Sequence, residues 1–280
     1  MYKIEKKENL NPTVTRMVVQ APFVAKRAKA GQFIILRVRE QGERIPLTIA
    51  DSDPEKGTVT IIFQVVGQTT MLLNEMKEGD LLQDFVGPLG KPSAIDGNKK
   101  VCVIGGGVGC AIAYPTAKAF HEAGADVTTI VGFRNKDLVI LEKEFTDVSD
   151  AYYLMSDDGS VGEKGLVTNK LEDLILNGEK FDEVIAIGPV IMMKFVSLTT
   201  KKYEIPTTVS MNPIMIDGTG MCGGCRLKVG NEIKFACVDG PDFDGHLVDF
   251  DEAMSRNMAY KDFETHKREE TCNLLTKEVQ

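Results

Sequence analysis

The sequence has no tryptophan, only three histidines and no long apolar run. The missing apolar run excludes a membrane-spanning helix, which needs roughly 20 predominantly apolar residues in succession. The histidines, His121, His246 and His266, are too scattered to show ligand spacing. The opening residues, MYKIEKKENL, lack the apolar stretch of a secretory signal. Cationic residues are outnumbered: Lys and Arg total 33 against 41 Asp and Glu, a formal charge of −8. That balance argues against nucleic acid as a partner, because phosphate binding needs clustered cations. The missing tryptophan excludes nothing. With no leader and no membrane span, the expected setting is the cytoplasm, where cysteines serve as thiols or metal ligands rather than disulfides.

What is present is a globular composition, 43% hydrophobic and 26% charged over 280 residues. That length is enough for two cores and a smaller appendage. The pattern divides at 1–97, 98–211 and 212–280. In the first segment, Thr13–Gln20, Gly31–Arg39, Arg44–Ile49, Thr58–Val66 and Leu81–Val86 read as strands rich in β-branched residues, with one short helix over Thr70–Met76. Short strands at close spacing predict a small antiparallel barrel. Gly67, followed by Thr69 and Thr70 at the helix start, has two readings. It is a turn with an N-cap, or a phosphate site made from free backbone N–H groups and the helix dipole.

In the second segment strands alternate with helices: Val101–Ile104, Val127–Val131, Tyr152–Met155, Glu183–Ile187 and Thr207–Met211 are the strands. Such alternation predicts a parallel sheet with ligands at its carboxyl ends. Gly105, Gly106, Gly107 and Gly109 form a glycine-rich loop between the first strand and an Ala-rich helix, suited to close approach by a pyrophosphate. Gly188, Pro189 and Met192 lie at another strand end. Arg134 follows the second strand where a dinucleotide site expects an acid, so NAD and NADP both stay open; Asp158 follows the third.

The third segment contains Cys222, Cys225 and Cys237 in the spacing Cys-x2-Cys-x11-Cys. Plant-type [2Fe–2S] sites read C-x4-C-x2-C with a distant fourth cysteine. Asp217 stands at the first of those positions, which predicts a cluster held by three thiolates and a carboxylate. Cys272, in a polar helical tail, is the rival fourth ligand. A tetrahedral zinc site built from the same four residues, in a nucleotide-binding regulator without redox chemistry, is the alternative of a different class.

Taken together, from Gly31-Gln32-Phe33 to Cys237, the chain resembles the ferredoxin–NADP reductase superfamily. It most resembles electron-transfer subunits that carry a [2Fe–2S] domain behind the reductase module. The resemblance implies an FAD-binding β-barrel (1–97), an NAD(P)-binding α/β domain (98–211) and a cluster domain with its tail (212–280). It implies that Arg44, Pro46, Leu47 and Thr48 meet the flavin, with Thr48 near its N5; the family's usual arginine position is Ile45, one place from Arg44. Gly67, Thr69 and Thr70 would bind the FAD pyrophosphate. Gly105 to Gly109 and Gly188 to Met193 would bind NAD(H), with Arg134 at the adenosine end. An Asp with three Cys is similar to the Nfn-type small subunit of NADH-dependent reduced ferredoxin:NADP oxidoreductase, where dihydroorotate dehydrogenase subunits carry four Cys. The implied partner is a larger, glutamate-synthase-like subunit with a second flavin and [4Fe–4S] clusters, through which ferredoxin is served. No acid–base catalytic residue is implied.

Overall fold

In the computed structural model, residues 1–97 and 99–277 are described, with side chains through Glu270. The strands of the first segment are β1 (Tyr2–Asn11), β2 (Val14–Gln20), β3 (Phe33–Arg37), β4 (Arg44–Asp53), β5 (Thr58–Gln64), β6 (Leu81–Leu82) and β7 (Asp84–Leu89). Helices α1 (Pro22–Ala25) and α2 (Gln68–Glu75) interrupt them. They form one antiparallel sheet in the order β6-β1-β2-β5-β4-β3-β7, a nearly closed barrel. Alternation of Thr15, Met17 and Val19 with the partly exposed Arg16, Val18 and Gln20 aims one face of β2 inward, as a period of two requires. The expected strand Leu81–Val86 is split. Leu81 and Leu82 pair with β1, and from Asp84 the chain pairs with β3, so Gln83 marks a change of partner from one barrel edge to the other. The expected strand Gly31–Arg39 is shorter because Gly31 is left-handed, at φ +81°.

The second segment supplies β8 (Lys100–Gly106), α3 (Cys110–Glu122), β9 (Asp126–Phe133), α4 (Glu142–Asp147), β10 (Ala151–Ser156), β11 (Glu163–Lys164), α5 (Val167–Leu176), β12 (Glu183–Ile187), α6 (Val190–Lys202) and β13 (Thr207–Ser210). The central strands β8 and β12 are near-continuous apolar runs, as expected of strands covered on both faces. The third segment contributes a hairpin, β14 (Arg226–Val229) with β15 (Glu232–Phe235), then α7 (Ala236–Asp239), β16 (Asp242–Asp244), α8 (Phe250–Asn257) and α9 (Lys261–Lys277).

The second sheet runs β11-β10-β9-β8-β12-β13-β16, parallel except for its last strand. That last strand, β16, comes from the third segment, so the sheet crosses the expected division at 211. One core cluster joins Val14, Ala50 and Ile62 of the barrel to Val101, Val103 and Ile185 of the sheet. Another joins Phe33 and Ile35 to Cys225, Leu227 and Cys237. Among the described residues, no helix is long and apolar enough to cross a membrane.

Candidate functional site

The barrel contributes an open apolar strand face. In β3, Phe33 to Leu36 are fully buried; in β4, which pairs with it, Ile45 to Thr48 are only half-buried. Thr48 lies opposite Phe33, Leu47 opposite Ile34, and Pro46 opposite Ile35. Arg44, opposite Arg37, is exposed at the strand's start. Beside this face, Gly67 caps α2 in an extended conformation. Thr70 Oγ1 accepts from the N–H groups of Val66 and Gly67, both at 3.0 Å, and donates to the Gly67 carbonyl. Thr69 Oγ1 donates to Glu43 Oε2 at 2.9 Å, tying α2 to the head of β4. Both hydroxyls are therefore engaged within the protein. What α2 offers an anion is its first-turn backbone N–H groups, which have no partner within the helix. Glu43 had no distinguishing signal in the sequence; its role as the Thr69 acceptor depends on a contact 26 residues away.

The parallel sheet contributes a crevice. Strand β8 lies between β9 and β12, so chain order reverses there, the place where ligands bind in open α/β sheets. Gly105 pairs with Val131 on one side and Ile187 on the other, and Gly106 pairs with Gly132. A Cβ on Gly109 would lie 2.6 Å from Gly188 Cα and 2.7 Å from the Ile187 carbonyl oxygen. One on Gly106 would meet Met192 Sδ at 2.4 Å and Pro189 Cδ at 3.1 Å. The two strand-end loops thus close on each other, and only glycine allows that approach. Gly107 is left-handed, at φ +55°, and has open space where a Cβ would point. Cys110, at the head of α3, is buried behind Gly105, and burial pushes its thiol up.

Arg134 and Asp158 sit at adjacent strand ends. Ser156 is opposite Phe133, and the Asp158 N–H donates to the Arg134 carbonyl at 3.3 Å. Asp158 Oδ1 accepts from Ser160 N at 2.9 Å, and Ser160 Oγ in turn accepts from Lys136 N. The Ser160 hydroxyl, then its N–H, hold the Asp158 carboxyl below the usual carboxylate range. Both Arg134 and Asp158 are exposed.

The cysteine loop lies against the barrel. A Cβ on Gly218 would stand 2.7 Å from Ile35 Cγ1 and 2.8 Å from Leu89 Cδ1. Cys225 and Cys237 are buried free thiols with sulfurs 3.2 Å apart; Cys222 is exposed. Burial, then the Cys225 contact, push the Cys237 thiol up to about 12. Asp217 Oδ1 accepts from Thr219 N at 2.8 Å, and Oδ2 from Cys222 N at 2.7 Å. Those N–H groups hold the carboxyl below its ordinary range, Thr219 first. The structure therefore joins the four as two pairs, Asp217 with the Cys222 backbone and Cys225 with Cys237. Among the described residues, no three His, Cys, Asp or Glu side chains are gathered as one metal-holding group. The donor chemistry, three thiols and a carboxylate, would suit an iron–sulfur cluster: two thiols already meet, and the third thiol and the carboxylate share the same glycine-turned loop. The side chain of Cys272 lies outside the described residues.

Comparison with known proteins joins these parts. The oxidoreductase FAD-binding domain family matches residues 1–93, and the iron–sulfur cluster binding domain of dihydroorotate dehydrogenase B matches residues 212–249. A Thermotoga maritima protein, named as a homolog of the dihydroorotate dehydrogenase B (NAD(+)) electron transfer subunit, is 49% identical, covering 94% of this chain and 93% of its own. The Streptococcus pneumoniae electron transfer subunit of that enzyme is 33% identical, covering 86% and 97%. A solved chain of the NADH-dependent reduced ferredoxin–NADP oxidoreductase, described for flavin-based electron bifurcation, superposes with a TM-score of 0.91. It is 47% identical and covers 96% of this chain and 97% of its own. These likenesses set aside the zinc-regulator alternative, since they run through a flavin domain and an iron–sulfur domain alike.

Proposed function

Since this chain belongs to the electron-transfer subunits of the ferredoxin–NADP reductase superfamily, of the Nfn small-subunit type, we propose that it is the NAD(H)-side subunit of an electron-bifurcating NADH-dependent ferredoxin:NADP oxidoreductase. It is a flavin-dependent oxidoreductase subunit that uses FAD, an iron–sulfur cluster and NAD(H). When bound, FAD supplies the conversion of a two-electron hydride into single electrons, and the cluster carries those one at a time.

The chain's own residues bind and orient. Pro46, Leu47 and Thr48 offer the apolar, half-exposed strand face for the flavin ring, with Arg44 at its edge. The α2 N-terminus at Gly67, Thr69 and Thr70 faces the FAD pyrophosphate. Gly105, Gly106, Gly107 and Gly109, closed against Gly188, Pro189 and Met192, hold NAD(H) at the switch point; Arg134 and Asp158 border its adenosine end. Asp217, Cys222, Cys225 and Cys237 hold a [2Fe–2S] cluster. A hydride brings its own electron pair, so no general acid or base is assigned. The larger partner would hold the second flavin and the [4Fe–4S] clusters and serve ferredoxin.

The observation that carries this reading is the whole-length structural likeness to the bifurcating enzyme's chain, a TM-score of 0.91 over 96% of this chain at 47% identity. The 49% identical Thermotoga maritima relative is named only as a homolog of a dihydroorotate dehydrogenase subunit, which keeps that enzyme as the second reading. Asp217 in place of a cysteine supports the first. The test is affinity purification from the source cell. Recovery of a glutamate-synthase-like flavin subunit is expected; recovery of a dihydroorotate dehydrogenase instead would move the chain to that second reading. Rapid mixing of the purified chain should show faster flavin reduction by NADH than by NADPH, and the reverse order would overturn the NAD(H)-side assignment.

A further inference from the structure

At the joint between the barrel and the second sheet is a carboxyl that the binding of FAD, NAD(H) and cluster leaves unused. Asp242 opens β16 and lies opposite Ser210 of β13. Ser93, on the linker that leaves the barrel, donates through Oγ to Asp242 Oδ2 at 2.5 Å. The linker is fixed at the same place by its backbone. Lys91 N donates to the Gly240 carbonyl at 2.7 Å, and Ser93 N to the Ala30 carbonyl at 2.9 Å. A Cβ on Gly31 would stand 2.2 Å from Ser93 Oγ, so the barrel's own glycine makes room for the contact. One side chain therefore touches the barrel's exit and the sheet's edge, and it belongs to the segment that carries the cysteines.

The other oxygen, Asp242 Oδ1, is buried with no hydrogen-bond partner. Ionising a buried carboxyl with one oxygen left without a donor is costly, whereas a neutral acid keeps the Ser93 contact at less expense. Burial pushes the Asp242 carboxyl up; the Ser93 and Ser210 hydroxyls oppose this, and the negative charge of Glu183 adds to it. Glu183 of β12 is paired with Lys99 at 2.8 Å and accepts from Thr208 Oγ1 at 2.7 Å. Asp244, two residues along β16, accepts from His246 N at 2.8 Å. Lys91 contributes its backbone, its side chain being exposed.

We propose that Asp242 is a positioning residue for NADH oxidation: bridging Ser93 and the sheet edge, its carboxyl fixes the flavin-bearing barrel against the nucleotide-bearing sheet. The inference rests on the function proposed above. Flavin face and nucleotide crevice belong to different sheets, so the angle between those sheets sets the distance a hydride must cross. A displacement of about 1 Å at a reacting centre can lower a rate roughly a hundredfold.

The experiment uses the full chain loaded with FAD and cluster, mixed rapidly with NADH across its stable pH range. Asp242→Ala should reduce its flavin roughly tenfold to a hundredfold more slowly with FAD content unchanged. Asp242→Asn, neutral and still hydrogen-bonding, should restore the rate. Wild-type protein should slow as pH rises and Asp242 ionises, and Asp242→Asn should lack that fall. Identical pH profiles for wild type and Asp242→Asn would overturn the proposal, as would a wild-type rate in Asp242→Ala.

Thermal melting gives a readout independent of activity. A folded-state value raised above the unfolded one contributes stability that is full below the ordinary carboxylate range and is lost as pH rises through the folded value. Wild-type melting should therefore fall relative to Asp242→Asn over that window, and parallel curves would overturn the proposal. If Asp242→Ala does not fold, the comparison of wild type with Asp242→Asn decides alone. If NADH fails to reduce even the wild-type flavin, the proposed function falls, while the melting curves still test Asp242.

Discussion

Asp217 is committed to the loop before any metal is considered, since two backbone N–H groups already point at its carboxylate. A carboxylate is a harder donor than a thiolate and alters the character of the iron it meets. Asp217→Ala should disturb the cluster's EPR signal while FAD stays bound; an unchanged signal would remove Asp217 from the ligand set. Gly109 makes a second test at this scale. A methyl group there would press on the backbone of Gly188 and Ile187, neither of which can turn aside. Gly109→Ala should cost about 1–3 kcal/mol of stability, as overpacking does, and weaken NADH binding with FAD content intact. A melt and an NADH titration that both match wild type would show the two loops to be looser than this. The sequence marks Gly109 as part of a phosphate-type loop, but not its neighbour: Gly188 approaches through the pairing of β12 with β8, which no local pattern records.

Among the elements, legibility followed apolar periodicity. Strand β12 shows a run of Val, Ile and Ala and is read at its observed limits. Strand β1 is ten residues long, but only Ile4 is fully buried and its neighbours are largely charged, so it carries no alternation to read. Strand β16 is three residues long and owes its existence to the edge of β13. That edge has a consequence for cutting the chain. A protein ending at residue 211 would expose the ladder groups of β13 together with Val209 and Met211, both buried in the full chain. Exposed apolar edges recruit other chains. Residues 1–211 expressed alone should therefore elute from size exclusion as aggregate. A soluble monomer binding FAD would show that the third segment is an independent appendage.

For the whole molecule, the balance of forces favours the shared cores over the visible ion pairs. Arg16 reaches Glu144 at 2.5 Å and Lys118 reaches Asp51 at 3.0 Å, both between barrel and sheet. Such partly exposed pairs are worth about 0–1 kcal/mol, so Glu144→Gln should hardly move the melt. Ile35, 2% exposed, lies where the barrel meets the Gly218 turn. Ile35→Ala should cost about 2–5 kcal/mol and lower iron content, although the residue belongs to the flavin barrel. Iron content equal to wild type in a folded Ile35→Ala protein would contradict that coupling.

The stitching of β16 into the nucleotide sheet has a further meaning for electron flow. A redox centre on a tether must swing between donor and acceptor, and its turnover then depends on how fast the arm diffuses. Here the cysteine loop is held by the sheet through β16 and by the barrel through Gly218, so the arm is absent and the route is fixed wiring. Electron delivery from NADH to the cluster should be insensitive to solvent viscosity, and the partner must come to the outlet.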